Sequence, residues 1–201
     1  MRQSGIMMSP FFSICIPVYK NTTYLGRLLQ SIAEQTCGDY EVVIADDSPN
    51  EVVEVFLQTN FSGLPIVYHK NARALGTPAN WNKAIDLAEG TWIKLMHDDD
   101  WFAHKEVLSR LKDRLQEHQP AMVYTNYRNV ALSDLQRTTQ KMTGSAARRQ
   151  FVHRHPEALY ARNIIGPPSV TLIHRNLGNR YDERMKWLVD IDFYLQLLPA
   201  T

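Results

Sequence analysis

Apolar and polar positions along this chain recur with two periods, one of strands and one of helices. Residues 11–19, FFSICIPVY, form a β-rich run with no helical period, and Pro17 predicts that this strand ends as an edge or turns out of the sheet. Asn21 or Thr22 can cap a helix whose Leu25, Leu28, Leu29 and Ile32 recur at i, i+3, i+4 and i+7, until CGDY breaks the pattern. Residues 40–48, YEVVIADDS, read as a continuous apolar strand closed by two aspartates, the profile of a strand buried in a parallel sheet. A short helix over 51–58 and the strand PIVYHKN follow, and Thr77 and Pro78 then open a helix bearing Trp81, Ile85 and Ala88, which Gly90 stops. TWIKLM is the next strand and runs into three aspartates, Asp98, Asp99 and Asp100. Leu108, Leu111 and Leu115 mark a helix over 104–118, and AMVYTNYRNV reads as one more strand.

This alternation predicts an α/β fold with an open, mostly parallel central sheet and helices on both faces, of Rossmann-like kind. Ligands of such sheets bind at the carboxyl ends of strands near a topological switch point, and both acidic clusters sit at such ends. From Leu132 to Arg149 the pattern fades into polar, small and basic residues, which predicts a mobile loop. Periodicity resumes weakly in PEALYARN; GPPSVTLIHR reads as a turn into a strand, and MKWLVDIDFYLQLL as a helix opening near Asp190. The expected organisation is a tail over 1–11, an α/β half over 12–131, and a second half over 132–201 that holds the mobile basic loop and stops abruptly, as a truncated half would.

With 201 residues, 44% of them hydrophobic, the chain can bury a real core and is not a disordered protein. Its 22 basic and 21 acidic residues nearly cancel, so no general argument points to nucleic acid, and any electrostatic function is local. One local excess is basic: six Lys/Arg between Arg137 and Arg162, with His153 and His155, face a single acid, Glu157. Arg148, Arg149, His153 and His155 could close over phosphates or meet anionic lipid or a lipid-linked acceptor, and a solvated basic loop accounts for them at least as well. Cys15 and Cys37 have no spacing that suggests zinc or a disulfide framework, and no run approaches the roughly 20 apolar residues of a membrane span. The expectation is a soluble cytoplasmic protein, with peripheral contact at the inner face of a membrane left open.

The stretch WIKLMHDDDWF, residues 92–102, carries the sharpest chemistry. Two unit charges about 6 Å apart repel by roughly 3 kcal/mol at an effective dielectric of about 20, so crowded carboxylates call for a cation or a protonated member. Strand alternation would point Asp98 and Asp100 one way and Asp99 the other unless the chain turns there. Mg²⁺ and Mn²⁺ take one or two protein carboxylates with water and phosphate oxygens, which describes a nucleoside diphosphate site. The competing reading is a helix start, where aspartates cap. At 45–48, ADDS suits either a nucleobase or ribose contact or an ordinary turn. A two-component receiver would place its acidic pair after the first strand, which here ends in PVYKN.

The segments SICIPVYKNTTYLGRLLQSIAEQT, YEVVIADDSPNE, ANWNKAIDLAEGTWIKLMHDDDWF and GPPSVTLIHR with MKWLVDIDFYLQLL resemble, in order and spacing, the family two glycosyltransferases of GT-A fold. The resemblance covers nearly the whole chain from residue 12 and implies an inverting, nonprocessive transferase; the Q-x-x-R-W signature of processive synthases is absent. It implies a nucleotide-sugar donor, a UDP-sugar first, Mn²⁺ or Mg²⁺ as cofactor, and a glycan, lipid-linked or other hydroxyl acceptor, in cell-surface polysaccharide or glycan assembly. The 12–131 half would then bind the nucleotide sugar and the 132–201 half the acceptor.

Carried over by position, Pro17 and Tyr19 line the nucleobase pocket and Asp47 accepts from uracil. Asp99 is the metal ligand, Asp98 lies nearer the ribose or sugar, and His97 stands where many members have a first aspartate. Arg73 falls where a basic or polar nucleotide contact is common. Asp190 aligns with the catalytic base, Val189 replacing the preceding glutamate, and Asp192 is the fallback; by residue type alone Asp190 is as well a helix cap. Trp81, Trp92 and Trp187 read as core and Trp101 as the candidate for stacking on a sugar. A sugar-phosphate nucleotidylyltransferase would need a glycine-rich, arginine-bearing loop after the first strand, which PVYKNTTYLG does not supply. A module that holds the nucleotide sugar without transferring it is the alternative of a different class.

Overall fold

The computed structural model describes residues 9–118, 120–131 and 133–198, so the expectations for residues 1–8 of the tail and for the chain's end at 199–201 lie outside the described residues. The first half is built as the periodicity predicts: β1 (Phe12–Val18), α1 (Thr22–Ala33), β2 (Tyr40–Asp46), α2 (Val52–Asn60), β3 (Ile66–Lys70), α3 (Ala79–Asp86), β4 (Trp92–Leu95) and α4 (Val107–Glu117). Asn21 is the cap of α1, its side chain accepting from the Tyr24 N–H.

The strands form one six-stranded sheet in the order β3-β2-β1-β4-β8-β5, where β5 is Met122–Tyr124 and β8 is Thr171–His174. β1 to β4 run parallel, and β8 lies antiparallel to both β4 and β5. The sheet is thus mixed but mostly parallel. Alternation along the buried strands serves two cores. Phe12, Ile14, Ile16 and Val18 of β1 pack with Leu25, Leu28 and Leu29 of α1, Val53 of α2 and Leu108 of α4. Cys15, Val43, Ala45, Ile93 and Leu95 face the other side, against Ala84 and Ile85 of α3 and Ile191, Phe193 and Tyr194 of α7 (Val189–Leu197). Each such buried Leu, Ile or Phe contributes about 1.5–3 kcal/mol.

Four expectations change. Pro17 does not mark an edge, because β1 is central. Its missing N–H faces the β4 side together with Cys15, and β4 stops pairing at Cys15, so no ladder bond is lost. AMVYTNYRNV is not one strand: Thr125 donates to the Val170 carbonyl, the chain leaves the sheet, and β6 (Tyr127–Ala131) pairs antiparallel with β7 (Asp134–Met142) in a separate ribbon. The region expected as a mobile loop therefore holds β7 and then α5 (Ala146–Arg154), capped by the Ser145 side chain, before the short α6 (Ala158–Ala161). This ribbon is held by its backbone ladder and carries little apolar alternation, which is why the pattern faded there.

Gly90 does not stop α3, which ends at Asp86. It lies against β1, where a Cβ would come within 2.7 Å of Phe12 and Ser13 backbone atoms. No helix among the described residues is long and apolar enough to cross a membrane.

Candidate active site

The chain runs from β1 outward through β2 to β3 and then returns to place β4 on the other side of β1, so the switch point lies between β1 and β4. A cleft of about 670 Å³ opens at the carboxyl ends there. Pro17, Tyr19 and Asn21 enter it from the end of β1, Asp47 from β2, and His97, Asp98 and Asp99 from β4. Gly76, Thr77 and Ala74 of the β3–α3 connection and Trp81 of α3 form the opposite wall. Of the residues expected at the donor site, Pro17, Tyr19, Asp47, Asp98 and Asp99 share this cleft. Arg73 belongs to the same connection but is exposed and is not among the lining residues.

Asp47 is 6% exposed and is held by the wall through three hydrogen bonds. Its Oδ1 accepts from Asn71 Nδ2 at 2.7 Å and from the Leu75 N–H at 3.0 Å, and Oδ2 accepts from the Gly76 N–H at 2.8 Å. Gly76 sits at φ 75°, a left-handed position that favours glycine and turns the N–H toward the carboxylate. Asn71 Nδ2 also donates to Asn80 Oδ1, and Asn80 Nδ2 donates to the Ala45 carbonyl, tying the wall to β2.

At the acidic run the chain turns rather than continuing as a strand: the Asp100 N–H donates to the His97 carbonyl at 3.1 Å. The alternation that would pair Asp98 with Asp100 is thereby lost. Instead one ring nitrogen of His97 and one carboxylate oxygen each of Asp99 and Asp100 lie within 4.8 Å of one another. No ion pair reaches any of the three aspartates among the described residues. Burial, and then the charge of Asp99, push the Asp98 carboxyl up to about 6. Burial lowers His97, which favours the neutral imidazole, a ligand form. The turn thus gathers oxygen and nitrogen donors that no ion pair reaches among the described residues, and it fits a divalent cation.

The turn is braced from beneath. The His97 N–H donates to Ser169 Oγ at 2.9 Å, and the buried Lys94 ammonium donates to the Ser169 carbonyl. Burial pushes Lys94 down to about 7, an effect that Asp100 opposes.

Asp190 stands in the first turn of α7, just after Leu188 in a left-handed conformation at φ 58°. Its Oδ2 accepts from Asn163 Nδ2 at 2.6 Å, and the same amide donates to the Gly166 carbonyl at 2.9 Å. Asn163 Oδ1 in turn accepts from the Ile165 and Gly166 N–H groups, and the Tyr194 hydroxyl donates to the Gly166 carbonyl. Asp190 does not line the cleft, and its charge acts weakly on His97 there, after burial and the charges of Asp100 and Asp99. Asp192 accepts from Gln196 instead, on an exposed part of the helix.

The tryptophans divide differently from the expectation. Trp92 is core; Trp81 packs against the second core as expected but also lines the cleft, its ring centre 4.9 Å from that of His97; and Trp187 is 84% exposed. Trp101 does not line the cleft and carries the Arg27 guanidinium over its ring. The roles of Asn71, Asn80 and Asn163 had no local signal, because only the fold brings these amides to their carboxylates.

Sheet order and flanking helices define an α/β fold of the GT-A kind. The chain belongs to glycosyl transferase family 2, whose profile matches residues 13–178. PGL/p-HBAD biosynthesis glycosyltransferases of Mycobacterium bovis and Mycobacterium tuberculosis are 30% identical to it over 202 residues, covering 94% of this chain and 70% of theirs. S. aureus TarS 1-349 in complex with UDP superposes with a TM-score of 0.72 at 19% identity, over 95% of this chain and 55% of that one. The mannosyltransferase PcManGT from Pyrobaculum calidifontis, in complex with GDP-Man and Mn²⁺, does so with a TM-score of 0.66 at 15% identity, over 95% of this chain and 52% of that one. This chain thus spans about half the length of those two solved chains.

Proposed function

We propose that this protein transfers a glycosyl group, with inversion, from a nucleotide sugar to an acceptor hydroxyl in the assembly of a cell-surface polysaccharide, glycan or glycolipid. One observation carries the reading. Residues from three separate strand ends, Tyr19, Asp47 and Asp99 among them, converge on one cleft at the switch point of the sheet. The UDP and UDP-GlcNAc complexes of TarS support a UDP-sugar as donor. The Mn²⁺ complex of PcManGT supports a divalent cation.

In this reading Pro17 and Tyr19 flank the nucleobase. Asp47 holds the 71–76 wall and offers its remaining Oδ2 lone pair to a base N–H. Asp98 faces the ribose or sugar, and Asp99 is the cation ligand. When bound, the cation neutralises charge that develops on the departing diphosphate. Asp190 takes the proton from the acceptor hydroxyl as that oxygen bonds to the anomeric carbon and the bond to the diphosphate oxygen breaks. Asn163 occupies Asp190 Oδ2, and no hydrogen bond among the described residues occupies Oδ1, which accepts that proton.

The role of Asp190 is tested by Asp190→Asn. Calorimetric affinity for UDP with Mn²⁺ stays within about twofold, while turnover of a UDP-sugar, as transfer or hydrolysis, falls by about 10²-fold or more. Equal loss of nucleotide affinity and turnover would remove Asp190 from the base role.

A further inference from the structure

We infer that His97 is itself a ligand of the cation, making this a mixed nitrogen and oxygen site that prefers Mn²⁺ to Mg²⁺. The inference rests on the proposed metal-dependent donor site and goes beyond it in naming the ligand and the selectivity. Three observations carry it. The donor atoms of His97, Asp99 and Asp100 lie within 4.8 Å of one another. Bonds of about 2.1 Å put neighbouring ligand atoms about 3 Å apart and opposite ones about 4.2 Å apart, so a small contraction brings all three onto one ion.

Next, Nε2 of His97 is buried and has no hydrogen-bond partner among the described residues. A buried polar nitrogen without a partner is costly, and groups of this kind call for an explanation. An incoming cation supplies one, either by direct bonding or by fixing the tautomer that this nitrogen needs. Third, the residue is held in place: its backbone N–H donates to Ser169 Oγ at 2.9 Å, and its ring centre lies 4.9 Å from that of Trp81. A fixed imidazole beside two carboxylates is a donor set that suits a transition metal. Mg²⁺ takes oxygen and dehydrates reluctantly, and imidazole suits the later divalent ions.

The test is electron spin-echo spectroscopy of Mn²⁺ bound to the wild-type chain with UDP, and separately with GDP, alongside calorimetric Mn²⁺ and Mg²⁺ titrations of wild type, His97→Asp and Asp99→Asn. We expect ¹⁴N modulation from a directly bound imidazole in the wild type. We also expect its loss in His97→Asp, with the Mn²⁺ to Mg²⁺ affinity ratio lowered about tenfold or more as the site becomes all oxygen. Because the first readout needs no variant, a misfolded mutant leaves it intact. Mn²⁺ bound in a manner that needs Asp99 but shows no ¹⁴N modulation overturns the inference and spares the donor-site reading. Failure of Mn²⁺ to bind with either nucleotide overturns both.

Discussion

Replacing Asp47 by alanine removes the acceptor that closes the 71–76 wall. Three donors lose their partner: Asn71 Nδ2, the Leu75 N–H and the Gly76 N–H. Hydrogen bonds to a charged acceptor contribute about 1.5–3 kcal/mol each when their donors are buried. Leu75 is 41% exposed, so water recovers much of its share, and Asn71 keeps its bond to Asn80. The net loss is therefore roughly 3 kcal/mol, well below the sum of three full bonds. For a chain of this size that corresponds to a fall in Tm of about 6–12 °C. The wall also lines the cleft through Ala74, Gly76 and Thr77, so UDP and GDP both lose affinity, by about tenfold for each 1.4 kcal/mol of wall order lost. Asp47→Asn keeps the shape and part of the acceptor capacity, and costs about 1 kcal/mol. Urea denaturation of the three proteins, followed by calorimetry with both nucleotides, reads out all of this. Wild-type stability in Asp47→Ala would refute the wall argument, and a loss confined to UDP would make Asp47 a base reader only.

Three further outcomes follow from neighbouring groups. Burial holds Lys94 at about 7, below its unfolded value of about 10.4, so between those values the unfolded chain binds a proton that the folded chain does not, and stability rises with pH by about 1.4 kcal/mol per unit. Lys94→Met removes that slope, and urea midpoints at pH 7.5 and 9.5, both assay conditions of about this spacing, that change alike in variant and wild type would contradict it. Asn163→Ala frees Asp190 Oδ2 and loosens the 163–166 loop, and it lowers kcat about tenfold while leaving the KM for the nucleotide sugar unchanged; a KM effect alone would place Asn163 in donor binding. Trp81→Ala uncovers the His97 ring and weakens UDP binding about tenfold by calorimetry, whereas an unchanged affinity would make Trp81 mere packing.

The β-α half was legible because its apolar periods are those of buried elements: the leucines of α1 and α4 and the unbroken run of β2 each admit one reading. The ribbon of β6 and β7 was not, since it is held by backbone pairing with few apolar positions to mark it. Within the cleft, Pro17, Tyr19, Asp47, Asp98 and Asp99 stand at strand ends, where sequence position maps directly onto space. Trp81 and the Asn71 and Asn80 pair reach the same place through tertiary packing, from the connection and helix that follow β3, and carry no local mark of it. His97, Asp99 and Asp100 converge because the chain turns after β4, a step that strand alternation cannot foresee.

The most direct test of the account is a calorimetric titration of UDP, with GDP as control, with and without Mn²⁺, on wild type and Asp99→Asn. The account predicts UDP binding that needs both Mn²⁺ and Asp99, the crowded aspartates being there to hold a cation against a diphosphate. Absence of binding by either nucleotide under every condition would contradict it, and would return the acidic turn to a structural role.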